Sequence, residues 1–163
     1  MGTLPQLIEE DIEKLGEILR RFIASADATA ALIIDKGGFL ITYQGEAGQM
    51  DFTTIGALAS GAFMANQTIA GLVNESNFNS IYQQGEKSSM FVINVDEHCL
   101  LVVIFGSSGG IGVVKYYAAG AVKEIARQLQ AAKERAPGEG IDLSVLNVAE
   151  TETVFKKKSK SAK

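Results

Sequence analysis

Apolar residues at Ile8, Ile12, Leu15, Leu19, Phe22 and Ile23 recur three and four positions apart, the period of one helical face. The spacing predicts a helix over 6–25. Glu9, Glu10, Glu13 and Lys14 fill the opposite side. Acids at its start and Arg20 and Arg21 near its end suit the helix dipole. A hairpin follows. Ala30–Ile34 is a short apolar strand, Asp35–Gly38 a tight turn whose glycines tolerate positive φ, and Phe39–Tyr43 the return strand. Gly45–Gln49 reads as a loop.

Asp51 has the character of an N-cap, its carboxylate placed to accept from free backbone N–H groups. A long helix is expected from there to about Asn74, with Ile55, Leu58, Ala59, Ala62, Ile69 and Val73 as its core face. Gly56, Gly61 and Gly71 lie inside it, and each costs about 1 kcal/mol relative to alanine. Ala57, Ser60, Gly61, Ala65 and Thr68 make a second face of small side chains. Nothing local offsets the glycine cost; close approach of another backbone would.

Phe78–Gln84 is a polar candidate edge strand. Ser89–Val95 and Cys99–Phe105 are stronger strands joined by a turn at Asp96-Glu97-His98. After the glycine-rich Gly106–Gly110, a last helix is expected from Ile111 to about Arg135. Its inner face is Ile111, Val114, Ala118, Ala121, Val122, Ile125 and Leu129, and Pro137-Gly138 ends it. The order α-β-β-α-β-β-β-α, with hairpin-length links, predicts an α+β sandwich built on a five-stranded antiparallel sheet. A domain over 6–136 and a mostly disordered tail over 137–163 complete the organisation. Within the tail, Ile141–Leu146 is a candidate docking segment.

Composition narrows the function. Of 163 residues, 47% are hydrophobic and 21% charged, values of a folded domain rather than a disordered chain. No apolar run reaches the ~20 residues of a membrane helix, and the N-terminus lacks a secretory pattern, so a cytoplasmic protein without an integral membrane segment is expected. Net charge is −4, with five lysines and no acid in the last eight residues, so residues 1–155 carry −9. An acidic body argues against nucleic acid as a partner. The basic end has the character of a solvated terminus.

Catalytic chemistry is poorly supplied. His98, the one histidine, sits in a turn, where an exposed ring without a partner for base work is expected. Cys99 starts a dense strand with nothing basic to lower its pKa, so it reads as a buried structural thiol. Asp96, Glu97 and His98 are adjacent in sequence and do not converge easily on one metal ion. Gly106-Ser107-Ser108-Gly109-Gly110-Ile111-Gly112 matches neither the P-loop nor the dinucleotide spacing. No catalytic residue, metal or cofactor is assigned. A costly small-residue helix in a chain without reaction chemistry reads as an interaction module.

Four stretches then occur in a recognisable order. They are Ala31-Leu32-Ile33-Ile34-Asp35-Lys36-Gly37-Gly38-Phe39-Leu40, Leu58-Ala59-Ser60-Gly61-Ala62-Phe63-Met64-Ala65, Gln84-Gly85-Glu86-Lys87, and Leu100–Phe105 followed by Gly112-Val113-Val114-Lys115. Over about 6–135 the chain resembles the Roadblock/dynein light chain family, and within it the bacterial MglB-like proteins. The resemblance implies a homodimer whose second helices lie side by side and whose third strands pair, placing Gly61, Ala65, Thr68, Ile81 and Tyr82 at the dimer interface. It also implies a non-catalytic regulator that binds a Ras-like, MglA-type small GTPase across the paired helices through Ala57, Ser60 and Met64. Such a protein stimulates GTP hydrolysis in cell polarity or motility. The alternative is a Roadblock scaffold subunit that tethers a complex without affecting hydrolysis; a small-ligand sensor is a third reading. The four arginines, Arg20, Arg21, Arg127 and Arg135, lie towards the ends of the first and last helices. No arginine finger on the second helix is available, and dipole complementation is their expected role.

Residues 147–163 hold only three large apolar side chains, Val148, Val154 and Phe155, too few to offset ordering entropy. Truncation after Gly138 is expected to leave the melting temperature almost unchanged in thermal denaturation; a loss of many degrees contradicts a dispensable tail.

Overall fold

The computed structural model describes residues 4–135. The expected tail over 137–163, with its candidate docking segment, lies outside the described residues. Three helices and five strands follow one another in the expected order. They are α1 (Glu9–Ala26), β1 (Ala28–Asp35), β2 (Leu40–Gly45), α2 (Phe52–Leu72), β3 (Ser80–Gln83), β4 (Ser88–Asn94), β5 (Cys99–Gly106) and α3 (Ile111–Glu134). The sheet runs β2-β1-β5-β4-β3, and every neighbouring pair is antiparallel. Two local meanders, β1-β2 and β3-β4-β5, are joined through the long-range β1·β5 pairing, in which Ile33 opposes Leu101.

The middle strands are apolar on both faces, as a sheet covered on both sides requires. Ala31, Ile33, Leu101, Val103 and Phe105 pack with Leu15, Leu19 and Phe22 of α1 and Val114, Ile125 and Leu129 of α3. Ala30, Leu32, Ile34, Leu100, Val102 and Ile104 face α2 through Phe52, Ala59 and Phe63. Among the described residues the result is three layers, with α1 and α3 on one side and α2 on the other.

Asp51 caps α2 as its residue type suggests. Its carboxylate accepts from the Thr54 N–H at 3.1 Å and the Thr54 hydroxyl at 2.6 Å. The inner face of α2 is not the expected one. Phe52, Gly56, Ala59, Ser60, Phe63 and Ala70 are buried, whereas Leu58, Ile69 and Val73 are exposed. Apolar residues surround this helix, so periodicity alone does not select its inner side. Close approach does: a Cβ on Gly56 would lie 3.0 Å from the Ile34 side chain.

Two arginines tie the outer layer together rather than merely complementing dipoles. Arg21 pairs with Glu124 across α1 and α3 at 2.7 Å. Arg135 donates two hydrogen bonds, of 2.9 and 2.8 Å, to the Asp11 carboxylate. Asp11 is fully buried. It also accepts from the Ile8 N–H, closing the first turn of α1, and from the Gln128 amide. Asp11 lies in phase with the buried Leu15, Ile18 and Phe22, which is the one sequence sign of its burial, while its partner Arg135 is 124 residues away.

The Arg135 guanidinium, ahead of the opposing cost of burial, holds the Asp11 carboxyl below its ordinary value of 3.8. A depressed folded pKa gives stability that is present above about pH 4 and is lost as pH falls through the folded value. Asp11→Ala removes the acceptor shared by the Ile8 N–H, the Gln128 amide and the Arg135 guanidinium and is expected to cost about 1–3 kcal/mol in urea denaturation at neutral pH. It should also flatten the acid limb of the stability profile; an unchanged limb contradicts the assignment.

Candidate partner interface

The outer surface of α2 carries no Asp, Glu, Lys or Arg over its 21 residues. Ala57, Leu58, Gly61, Met64, Ala65, Thr68, Ile69 and Leu72 all lie exposed along it. Leu58 is 69% and Leu72 80% exposed. A helix that is apolar all round is ordinarily covered, and contiguous exposed apolar surface marks an interaction site. Gly61 and Gly71 have nothing within 4 Å of a built Cβ. Their cost is therefore not explained by packing within the protomer, unlike that of Gly56.

Among the described residues the sheet ends on β3, which pairs with β4 and has no strand on its other edge. Ile81 packs into the α2-side core. Tyr82 points to the other face, its ring stacked over Phe105 at 6.2 Å. The expected dimer residues Gly61, Ala65 and Thr68 thus share the outer side of α2, while Ile81 and Tyr82 belong to the free strand edge.

The three expected GTPase contacts divide. Ala57 and Met64 are exposed. Ser60 is only 4% exposed and donates its hydroxyl to the Lys36 carbonyl at 2.7 Å. The expected outward-facing Ser60 is corrected: the β1–β2 turn covers it, a long-range contact that sequence spacing does not encode. All three residues meet that turn. A Cβ on Gly38, whose φ is +96°, would sit 3.2 Å from Ala57 Cα. Met64 borders a shallow cleft of about 490 Å³ with Leu4, Asp35, Lys36, Gly37, Glu97 and His98. Burial pushes the Lys36 ammonium below its ordinary pKa, against the opposing pull of Asp96.

His98 is not the exposed residue expected of a turn. Its side chain is 11% exposed, and Nε2 lies 3.1 Å from Glu97 Oε1 without hydrogen-bond geometry. Glu97 is itself held by Lys133 of α3, which brings the β4–β5 turn against the end of that helix. Asp96 accepts from the His98 and Cys99 backbone N–H groups, both at 2.8 Å, so its carboxylate organises the turn. Among the described residues, no three His, Cys, Asp or Glu side chains converge on a possible metal position. No described helix is long and apolar enough to cross a membrane.

The Roadblock/LC7 domain model matches residues 14–105. The chain belongs to this family. Among solved structures, an MglB with a tetrameric arrangement superposes with a TM-score of 0.73 at 27% identity, covering 81% of this chain and 99% of that one. Myxococcus xanthus MglB gives 0.73 at 26% identity over 80% and 98% of the two chains. The gliding protein MglB of Thermus thermophilus gives 0.72 at 27% over 80% and 99%. Within the Roadblock/LC7 family the protein is therefore MglB-like. No curated protein matches the sequence.

Burial, with the nearby Asp96 charge adding to it, pushes the Cys99 thiol up to about 12. The nucleophile is the thiolate, so the native protein is expected to resist maleimide labelling at neutral pH and to label rapidly in denaturant. Fast native labelling contradicts a structural thiol.

Proposed function

We propose that this Roadblock/LC7 protein is a non-catalytic homodimeric regulator that binds a Ras-like small GTPase and stimulates its GTP hydrolysis. The observation that carries the reading is the uncharged, exposed outer face of α2 beside an unpaired strand edge, in a chain 26–27% identical to MglB proteins along most of its length. Self-association through Gly61, Ala65 and Thr68 on α2, with Ile81 and Tyr82 on β3, covers apolar surface and gives the β3 edge a partner strand. Gly61 and Gly71 permit the close helix approach that offsets their propensity cost. Ala57 and Met64 are the proposed GTPase contacts on the same helix, and Ser60 between them holds the β1–β2 turn through the Lys36 carbonyl.

The chemistry of stimulation is positional. A finger supplied in trans is worth roughly 10³–10⁵ in rate and must reach the transferring phosphate. None of the arginines is on α2, and Arg21 and Arg135 bond to acids of their own fold. Acceleration then comes from holding the GTPase's own catalytic groups in place. Gliding is named for the Thermus thermophilus relative, which supports cell polarity or motility as the setting here.

Single-turnover hydrolysis by an MglA-type small GTPase, with and without the protein, tests the activity. The expected result is acceleration that survives lysine at Arg20, Arg21 and Arg127. Binding without acceleration favours the scaffold reading. For self-association, Gly61→Ala adds a methyl that the protomer accommodates, whereas Gly61→Trp is expected to weaken the dimer by about 1–3 kcal/mol through overpacking. Sedimentation equilibrium reads the difference, and a native monomer at high micromolar concentration contradicts the dimer.

A further inference from the structure

The β1–β2 turn presents Phe39, which is 75% exposed. A lone exposed apolar residue is ordinary, but the support beneath this one is not. Asp35 grips the turn three ways. Its N–H donates to the Phe39 carbonyl at 2.9 Å, its carboxylate accepts from the Phe39 N–H at 2.9 Å, and its carbonyl accepts from the Gly38 N–H at 3.0 Å. The Lys36 N–H donates to the His98 carbonyl at 2.7 Å, anchoring the turn to the β4–β5 turn. The Ser60 hydroxyl holds the Lys36 carbonyl from α2. Gly38, whose positive φ strains any side chain, lies close against Ala57. A four-residue turn is thus tied to its own hairpin, to a second turn and to α2, while its aromatic side chain projects from the body.

We propose that Phe39 is a preorganised aromatic anchor for the GTPase, inserted into an apolar cleft of that partner, and that Ser60 is the residue that positions it. The proposal rests on the GTPase-binding reading and extends its contact surface from α2 onto the hairpin. Rigid aromatic side chains give large contact area at low entropic cost and are enriched among the residues that dominate binding energy. Continuity selects the occupant. Ala57 touches the turn directly, and Met64 shares a cleft with Asp35, Lys36 and Gly37. A second copy paired along β3 is a poorer fit: β1 and β2 lie three and four strands away from β3, roughly 14–19 Å across the sheet at the usual strand spacing.

The test is the affinity of the full chain for an MglA-type small GTPase loaded with a non-hydrolysable GTP analogue, measured calorimetrically. Phe39→Ala is expected to weaken binding about 10–100-fold, with melting temperature and sedimentation unchanged. Ser60→Ala is expected to weaken binding less, and to have no further effect on affinity in the Phe39→Ala background, because it acts through the anchor. Additive losses overturn the positioning role. Phe39→Ala binding within twofold of the native protein, while Met64→Asp abolishes binding, overturns the anchor and leaves the GTPase reading intact. A native protein that binds no GTPase removes both. A change of oligomeric state in Phe39→Ala assigns the residue to the second copy and overturns the proposal.

Discussion

The pairing of β1 with β5 is the constraint on which the rest of the structure depends. These two strands are buried along almost their whole length, with Ala30–Ile34 and Cys99–Phe105 closed to solvent on both faces. Covering a large aliphatic side chain contributes about 1.5–3 kcal/mol, so both faces must be roofed by helices. The long-range pairing also joins two meanders that are each local in sequence. α1 and α3 roof one face together, locked at their ends by Asp11 and Arg135. Among the described residues, α2 is the one helix that roofs the other face. A single helix leaves its own far side uncovered, and in this chain that side bears no charge. The candidate interface follows from the layer count.

This arrangement separates stability from recognition. The ion pairs that cross between helices, Asp11 with Arg135 and Arg21 with Glu124, belong to the α1–α3 layer. The α2 layer is held by apolar packing, by the Asp51 cap and by the Ser60 hydroxyl on Lys36. Substitutions at Leu58, Met64 or Phe39 touch little inside the protomer, so their effects report on partners. Substitutions at Asp11 report on folding.

Small residues on α2 do two different jobs. Gly56 and Ala59 let the helix settle onto Ile34 and the sheet, and the Ala57 position lets Gly38 approach. Gly61, Ala65 and Thr68 face away from the protomer and leave a low, uncharged surface. The first set closes the core; the second fits close approach by another helix.

Much of the fold was legible in the chain itself. Three- and four-residue spacing marked α1 and α3, dense apolar runs marked β1 and β5, and Asp51 marked the start of α2, because these signals are local. The polar edge strand was legible as well, at Ser80–Gln83. The inward face of α2 was not, because a helix apolar all round offers no polar side to turn outward, and contact with Ile34 decided its rotation. Nor was the pairing of Asp11, whose partner Arg135 lies 124 residues away. Ser60 and His98 were misplaced for the same reason: a turn from elsewhere in the chain covers the first, and the end of α3 meets the turn that carries the second. Sequence determined which segments are helices and strands and that the second helix carries no charged side chain. Only the tertiary structure decided which side of α2 is free and which turn lies beside it, since both depend on contacts between residues far apart in the chain.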